Sequence, residues 1–224
     1  MKLQFKEQDF QVQAVKAVVD CFAGQALKTN RFTLERSKEL IRKAKQAASG
    51  GVQAIAFDTD VMEEIGYRNS PIQIPETQIL KNIQDVQKWN DLNESQQIER
   101  PKGVKLGYNL TIEMETGTGK TYVYLRTIYQ LNKVYGFKKF VIVVPSVAIR
   151  EGVLKSLQIT FDHLQEIYEN QPAEYKVYDS GRLTELGNFA KSNAIQILVI
   201  NIDSFTKDAN VINQVRESGV KPIE

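Results

Sequence analysis

The chain has 224 residues, of which 42% are hydrophobic and 25% are charged, and these proportions are typical of a globular protein with a buried core. Its formal net charge of +2 neither requires nor excludes a polyanionic partner. The one cysteine, Cys21, cannot form a disulfide within the chain, which fits a reducing cytoplasm. The N-terminus lacks a signal-peptide core, and no run approaches the roughly 18 apolar residues of a membrane span. We therefore expect a cytoplasmic protein without a membrane partner.

In the first 105 residues, the spacing of apolar side chains predicts helices rather than strands. Residues 9–23 place apolar side chains at helical spacing, and Gly24 ends that pattern. Residues 31–45 indicate a basic amphipathic helix, residues 48–53 a flexible break and residues 70–76 an extended connector.

A further helix is predicted over residues 76–92. Its apolar face would contain Ile79, Ile83, Val86 and Trp89. No cluster of catalytic residue types occurs in this part of the sequence. We interpret residues 28–105 as a mainly helical insertion.

Strands and helices alternate from residue 106 onwards. The predicted strands cover residues 108–114, 138–145, 174–179 and 194–202, and the predicted helices cover residues 120–136, 147–168 and 183–192. Alternation of this kind, with apolar strands, is typical of a parallel sheet that has helices on both faces. The sequence therefore predicts an α/β fold.

The segment METGTGKT, residues 114–121, is typical of a phosphate-binding loop. In such a loop, successive backbone N–H groups surround the phosphates, and the following helix offers the positive end of its dipole. Glycines provide the unusual backbone angles, the lysine reaches the phosphates and the last threonine ligates Mg²⁺. The candidate nucleotide-binding residues are Thr116, Gly117, Thr118, Gly119, Lys120 and Thr121, with Thr121 as the Mg²⁺ ligand. The alternative is a plain Gly-Thr-Gly turn between a strand and a helix.

Two residues of this loop depart from the usual pattern. The strict pattern has glycine where this chain has Met114, but that position lies ahead of the part that surrounds the phosphates. Glu115 would repel a triphosphate if its side chain pointed inward. We therefore expect the Glu115 side chain to point outward.

With a residue other than glycine in the first position, the loop resembles motif I of superfamily-two helicases and translocases. Residues 9–15, DFQVQAV, are similar to the Q motif of the same motors. This resemblance implies that Gln11 hydrogen-bonds adenine, whose N6/N7 edge suits a planar amide with one donor and one acceptor side.

Longer stretches make the resemblance more specific. The chain is similar to the Res subunit of Type III restriction enzymes over residues 19–25, 111–157 and 197–213. This similarity implies a Q-motif-like helix of the motor domain in residues 1–27, an insertion in residues 28–105 and a first RecA-like motor domain in residues 106–224.

The resemblance implies an ATP-dependent DNA translocase, helicase-like in its motor, that belongs to a restriction endonuclease. ATP and Mg²⁺ would be its cofactors, and double-stranded DNA and a Mod methyltransferase subunit its partners. Residues 145–152, PSVAIREG, resemble motif Ia, in which Ser146 would cap a helix that faces a DNA phosphate and Arg150 would add positive charge. Asn201 and Ser204 lie where these motors make a further DNA contact. The alternative for Arg150 is a solvated side chain paired with a nearby glutamate.

A hydrolytic motor also needs an acidic pair that holds Mg²⁺ and orients the attacking water. The sequence contains no Asp-Glu dipeptide, and Asp203 is followed by Ser204. Residues 218–224 resemble the stretch just before the Asp-Glu strand of the family, which is the Walker B strand. We therefore expect the N-terminal part of a larger enzyme, with no catalytic residues of its own and no appreciable ATP turnover.

Two other interpretations remain open from the sequence. The chain could belong to a different superfamily-two DNA helicase with unrelated partners. It could also be a nucleotide-binding or partner-binding module without catalysis. In that case the helices predicted over residues 31–45 and 76–92 would serve as docking surfaces.

Overall fold

The computed structural model describes residues 5–34, 64–100, 107–182, 184–204 and 206. The chain divides into two compact units. The first comprises Met1–Lys28, Ser70–Phe137 and Gly152–Pro172, and the second comprises Thr29–Asn69, Lys138–Glu151 and Ala173–Glu224. The domain boundaries predicted after residues 27 and 105 stay a prediction. Among the helices in the described residues, none is both long enough and apolar enough to cross a membrane.

Helices form the first unit. They are α1 (Asp9–Asp20), α2 (Glu76–Trp89), α3 (Lys120–Tyr135) and the part of α4 (Val147–Ile167) that begins at Gly152. These bounds confirm the helices predicted near residues 9–23, 76–92, 120–136 and 147–168. The apolar core of the unit consists of Val15, Val19, Cys21, Ile79, Val123, Leu125, Ile128, Tyr129, Tyr135, Phe137, Val153, Leu157, Leu164 and Tyr168.

Helix α1 packs against both α2 and α3. Tyr135 Oη, at the end of α3, donates a hydrogen bond to Val19 O at 2.8 Å. Asn82 Nδ2, on α2, donates to Ala23 O at 2.9 Å and to Cys21 O at 3.3 Å. Asn82 therefore satisfies carbonyl groups that the end of α1 leaves without a helical partner.

The predicted apolar face of α2 is only partly buried. Ile79 is fully buried, whereas Trp89 is 55% exposed. The helix ends at Trp89. Lys16 Nζ lies 5.8 Å from the centre of the indole ring, so the ring contacts a cation rather than the core.

A three-stranded parallel sheet lies in the second unit, which confirms the predicted α/β fold. Its strands are β3 (Lys139–Val144), β4 (Ala173–Val177) and β5 (Ile195–Asn201), in the order β3-β5-β4. Parallel neighbours need helical crossovers, and α5 (Thr184–Lys191) joins β4 to β5. The central strand β5 is buried from Ile195 to Ile200, as expected for a continuous apolar run.

A two-stranded antiparallel ladder was not predicted. It pairs β1 (Thr29–Leu34) with β2 (Glu64–Asn69), in a register from Thr29↔Asn69 to Leu34↔Glu64. The predicted helix over residues 31–45 is therefore wrong for residues 31–34, because pairing with a distant segment outweighs local periodicity. Residues 35–45 of that helix and the predicted break over residues 48–53 lie outside the described residues.

The buried strand predicted over residues 108–114 was also wrong. Residues 107–115 form neither helix nor strand, and Ile112 is 44% exposed. A strand persists only where a neighbouring strand pairs with its backbone N–H and C=O groups. In the described residues, the ladders join β1 with β2 and β5 with β3 and β4. Asn109 N donates instead to Glu99 O at 2.9 Å.

Candidate functional site

The glycine-rich loop forms a tight turn immediately before α3. Gly117 and Gly119 have φ values of 86° and 87°, in the left-handed region that favours glycine. Thr118 Oγ1 donates to Glu115 O at 2.7 Å, and the backbone N–H of Thr118 donates to the same oxygen at 3.4 Å. The Thr118 hydroxyl thus stabilises the loop itself.

The first turn of α3 lacks a side-chain cap. Gly119 is the residue before the helix and makes no side-chain hydrogen bond, while its carbonyl oxygen accepts from Val123 N at 3.0 Å. The N–H groups of the first turn therefore point out of the helix without a partner of their own. Together with the helix dipole, such groups favour an anion, so the loop fits a phosphate group.

Gln11 lies directly against this loop. Its Nε2 atom donates to Thr118 O at 2.9 Å. A Cβ atom at Gly119 would lie 2.6 Å from the same Nε2, so this approach requires glycine in addition to the positive φ. The amide keeps its Oε1 atom and a second N–H for another partner. The structure thus brings Gln11 together with the predicted loop residues, although 107 positions separate it from Thr118.

The other loop side chains differ in exposure. Thr116 and Lys120 are exposed, and Thr121 is half-buried in the first turn of α3. Burial raises the pKa of Tyr124, and a hydrogen bond with Thr121 opposes that shift. Tyr124 is therefore a neighbour of the predicted Mg²⁺ ligand that sequence reasoning missed. Its position three residues after Thr121 is the signal that could have found it.

Glu115 is exposed, and the outward direction of its side chain stays a prediction. Of the ion pairs found within the described ranges, none includes this carboxylate. Its contribution to the loop comes from its backbone carbonyl, which accepts both hydrogen bonds from Thr118.

The second group of predicted residues lies in the second unit, at the carboxyl edge of the parallel sheet. The register pairs Val144 with Asn201, so the chain leaves β3 and β5 side by side. Ser146 Oγ accepts from Ile149 N at 3.3 Å, which confirms that Ser146 caps α4. Asn201 Oδ1 is buried and has no hydrogen-bond partner among the described residues.

Arg150 and Ser204 complete that group. Arg150 pairs with the adjacent Glu151, at 3.0 Å from Nη2 and 3.2 Å from Nε, so the alternative of a glutamate-paired arginine describes the present geometry. Ser204 is half-buried in the short turn Ile202–Ser204 that follows β5. The four residues therefore share one sheet edge, but only Ser146 has a local role that the hydrogen bonds identify.

The glycine-rich loop lies directly before a helix, and helices connect the strands of the parallel sheet. These features define an α/β protein with a RecA-like fold. A family model described as "Type III restriction enzyme, res subunit" matches residues 67–221, which is more than half of the chain. The chain therefore belongs to the family of Type III restriction enzyme res subunits.

Individual relatives agree with the family. The chain is 33% identical over 188 residues to the Type III restriction-modification enzyme EcoP15I Res subunit of Escherichia coli, a match that covers 76% of this chain and 19% of that relative. It is 34% identical over 155 residues to the EcoPI Res subunit of Escherichia phage P1, which covers 59% of this chain and 15% of the relative. It is 37% identical over 110 residues to the StyLTI Res subunit of Salmonella typhimurium, with 42% and 11% covered. The chain thus spans less than a fifth of the length of these relatives.

Proposed function

We propose that this chain binds ATP with Mg²⁺ and forms the nucleotide-binding part of an ATP-dependent DNA translocase in a Type III restriction system. One observation carries the proposal: the Gln11 amide donates to Thr118 O at 2.9 Å, beside the uncapped first turn of α3. The glycine-rich turn and the Gln11 amide lie in one unit, and their closeness supports a site for a phosphate next to a purine base.

Some residues of the site would neutralise the charge of the nucleotide, and others would orient it. The N–H groups of Gly117, Gly119, Lys120 and Thr121 would donate to the phosphates, and the Lys120 side chain would neutralise their charge. The Thr121 hydroxyl would ligate Mg²⁺, which neutralises phosphate charge when it is bound. The Oε1 atom and the free N–H of Gln11 would bind the adenine N6/N7 edge. Thr116 and Thr118 would contribute to the site through their backbone.

ATP binding by this chain is proposed without ATP turnover. The sequence has no Asp-Glu dipeptide, and an acidic pair is what orients Mg²⁺ and the attacking water in such motors. Translocation, DNA cleavage and association with a Mod methyltransferase subunit are therefore proposed for an assembly in which this chain supplies the nucleotide site.

We further propose that the sheet edge of the second unit binds the backbone of double-stranded DNA. The serine-capped start of α4, beside the end of β5, supports this proposal, because helix N-termini and side-chain amide N–H groups commonly donate to DNA phosphates, and Asn201 Nδ2 would be such a donor. Ser204 would add a hydroxyl. Arg150 would contribute by exchanging its exposed Glu151 partner for a phosphate, since a surface ion pair contributes only about 0–1 kcal/mol.

Titration of the 224-residue chain with MgATP tests the nucleotide site. Lys120→Ala is expected to weaken binding by about 1.5–3 kcal/mol, which is roughly 10–150-fold, because it removes a charged hydrogen-bond donor to phosphate. Lys155→Ala is the matched control, since Lys155 is an exposed lysine of α4 outside the loop. Equal affinities for Lys120→Ala and the unsubstituted chain would reject the site.

A further inference from the structure

The residues just before α1 form a strap across the helices of the first unit. This strap, Phe5–Gln8, is anchored at two points. The Phe5 ring stacks on His163, with ring centres 4.6 Å apart and planes at 23°. Glu7 Oε2 accepts from Arg126 Nη2 at 2.7 Å.

The second anchor involves a buried charged group, the guanidinium of Arg126. It is only 9% exposed, and it lies on α3, the helix that starts at the phosphate-binding loop. Its Nη1 atom is buried and has no hydrogen-bond acceptor among the described residues. A buried guanidinium needs a compensating charge, so Glu7 is held at this point of α3.

The aromatic anchor adds no competing positive charge. Burial, and next the charge of Arg126, lowers the pKa of His163, so its imidazole is neutral near pH 7. His163 Nε2 and Tyr122 Oη are 3.0 Å apart, and the Phe5 ring stacks on both rings. Phe5 therefore rests on a neutral surface formed by α3 and α4.

The strap leads straight into the turn that carries Gln11. Gln8 O accepts from Gln11 N at 3.0 Å and from Val12 N at 3.1 Å, so the strap and the first turn of α1 are one hydrogen-bonded piece. Gln11 contacts the loop at Thr118, and Glu7 contacts α3 at Arg126. The strap and the start of α1 are thus attached at two separated points, to α3 through Arg126 and to the loop before α3 through Thr118.

We infer that Glu7 and Arg126 are positioning residues for base discrimination: their ion pair holds the strap so that the Gln11 amide keeps one orientation at the nucleotide site. The inference rests on the proposed function. While Nε2 donates to Thr118 O, the amide is oriented with Oε1 away from that carbonyl. Oε1 then accepts from the N6 amino group of adenine but repels the O6 of guanine. Without the ion pair between Glu7 and Arg126, the strap no longer fixes the start of α1. The Gln11 amide can then rotate, and its Nε2 atom can face either base.

The affinities of the chain for MgATP and MgGTP test this inference. Glu7→Gln preserves shape and replaces a carboxylate that is 57% exposed, so the variant is expected to fold. We expect its ATP-to-GTP affinity ratio to fall by about fivefold, toward the ratio of Gln11→Ala, because discrimination comes from one oriented polar group. Glu169→Gln is the matched control, since Glu169 pairs with Lys133 at the far end of the same helix, and its ratio is expected to stay unchanged.

A second pair of variants separates positioning from stability. Arg126→Lys keeps a positive charge, so its ATP-to-GTP affinity ratio should stay closer to that of the unsubstituted chain than the ratio of Arg126→Met does. If the two residues act as a pair, adding Arg126→Met to Glu7→Gln should lower the ratio little further. A merely structural role would lower the melting temperature and both affinities together while leaving the ratio unchanged, and that result would overturn the inference.

The outcomes also distinguish the inference from the proposed function. If the unsubstituted chain prefers ATP but Glu7→Gln keeps the full ratio, positioning by the strap is wrong and the nucleotide site stands. If Gln11→Ala keeps the ratio, Gln11 does not read the base, and the inference fails while phosphate binding is retained. If the unsubstituted chain binds neither nucleotide, both are wrong.

Discussion

Replacing Gly119 by alanine measures how closely α1 approaches the glycine-rich loop. Gly119 has a φ of 87°, a region in which an L side chain costs about 1–2 kcal/mol. The new Cβ would lie 2.6 Å from Gln11 Nε2, so the Gln11 side chain must move and release Thr118 O. That hydrogen bond contributes about 0.5–1.5 kcal/mol. The free energy of unfolding is therefore expected to fall by about 1.5–3.5 kcal/mol.

Two other glycines separate the backbone contribution from the contact. Gly117 has nearly the same φ, 86°, but no atom lies within 4 Å of a Cβ built there. For Gly117→Ala, the free energy of unfolding is therefore expected to fall by only about 1–2 kcal/mol, because the substitution adds backbone strain alone. Gly152 lies within α4, with open space around the added Cβ, so Gly152→Ala is expected to gain about 0.5–1 kcal/mol from helix propensity.

Urea unfolding followed by circular dichroism gives the three free energies under one set of conditions. The reasoning is refuted if Gly119→Ala loses no more stability than Gly117→Ala, because the contact with Gln11 would then contribute nothing. Combining Gly119→Ala with Gln11→Ala checks the cause. The double variant should lose about 0.5–1.5 kcal/mol less than the sum of the single variants, since both remove the same hydrogen bond.

Two further predictions concern the end of α1. Burial, and next the charge of Asp20, raises the pKa of Cys21 from 9.0 to about 11. Near pH 8 the folded thiol should therefore react with a disulfide reagent at least about 100-fold more slowly than the unfolded chain, and equal rates would contradict the burial. This raised pKa contributes stability that is present below pH 9 and is lost as the pH rises through about 11. Asn82→Ala should lower the unfolding free energy by about 2–3 kcal/mol, because it leaves two carbonyls without a donor. Asn90 is the control, because its side chain is exposed and donates to Val86 O, and a comparable loss of stability for Asn90→Ala would contradict the role of burial.

The elements that the sequence predicted correctly are those whose pattern is local. Strand β5 is a nearly continuous apolar run. Helix α3 begins directly after the loop and ends at Tyr135, just before Gly136, which has a φ of 75°. The elements that were missed depend on distant partners. Residues 31–34 form a strand only because residues 64–67 pair with them. Residues 108–114 have a strand-like pattern, yet no partner strand pairs with them in the described residues.

The site shows the same division between local pattern and distant partner. Gln11 could be predicted, because the loop and the Q-motif-like stretch each have a recognisable local pattern. Arg126 carried a weaker signal: helical spacing puts it on one face with Tyr122 and Tyr129, and an arginine on such a face needs an acidic partner. The sequence offers 27 acidic residues as that partner, and no local pattern selects among them. Glu7 is selected because the strap passes α3 before it turns into α1, so the positioning of Gln11 follows from the path of the chain and not from any motif.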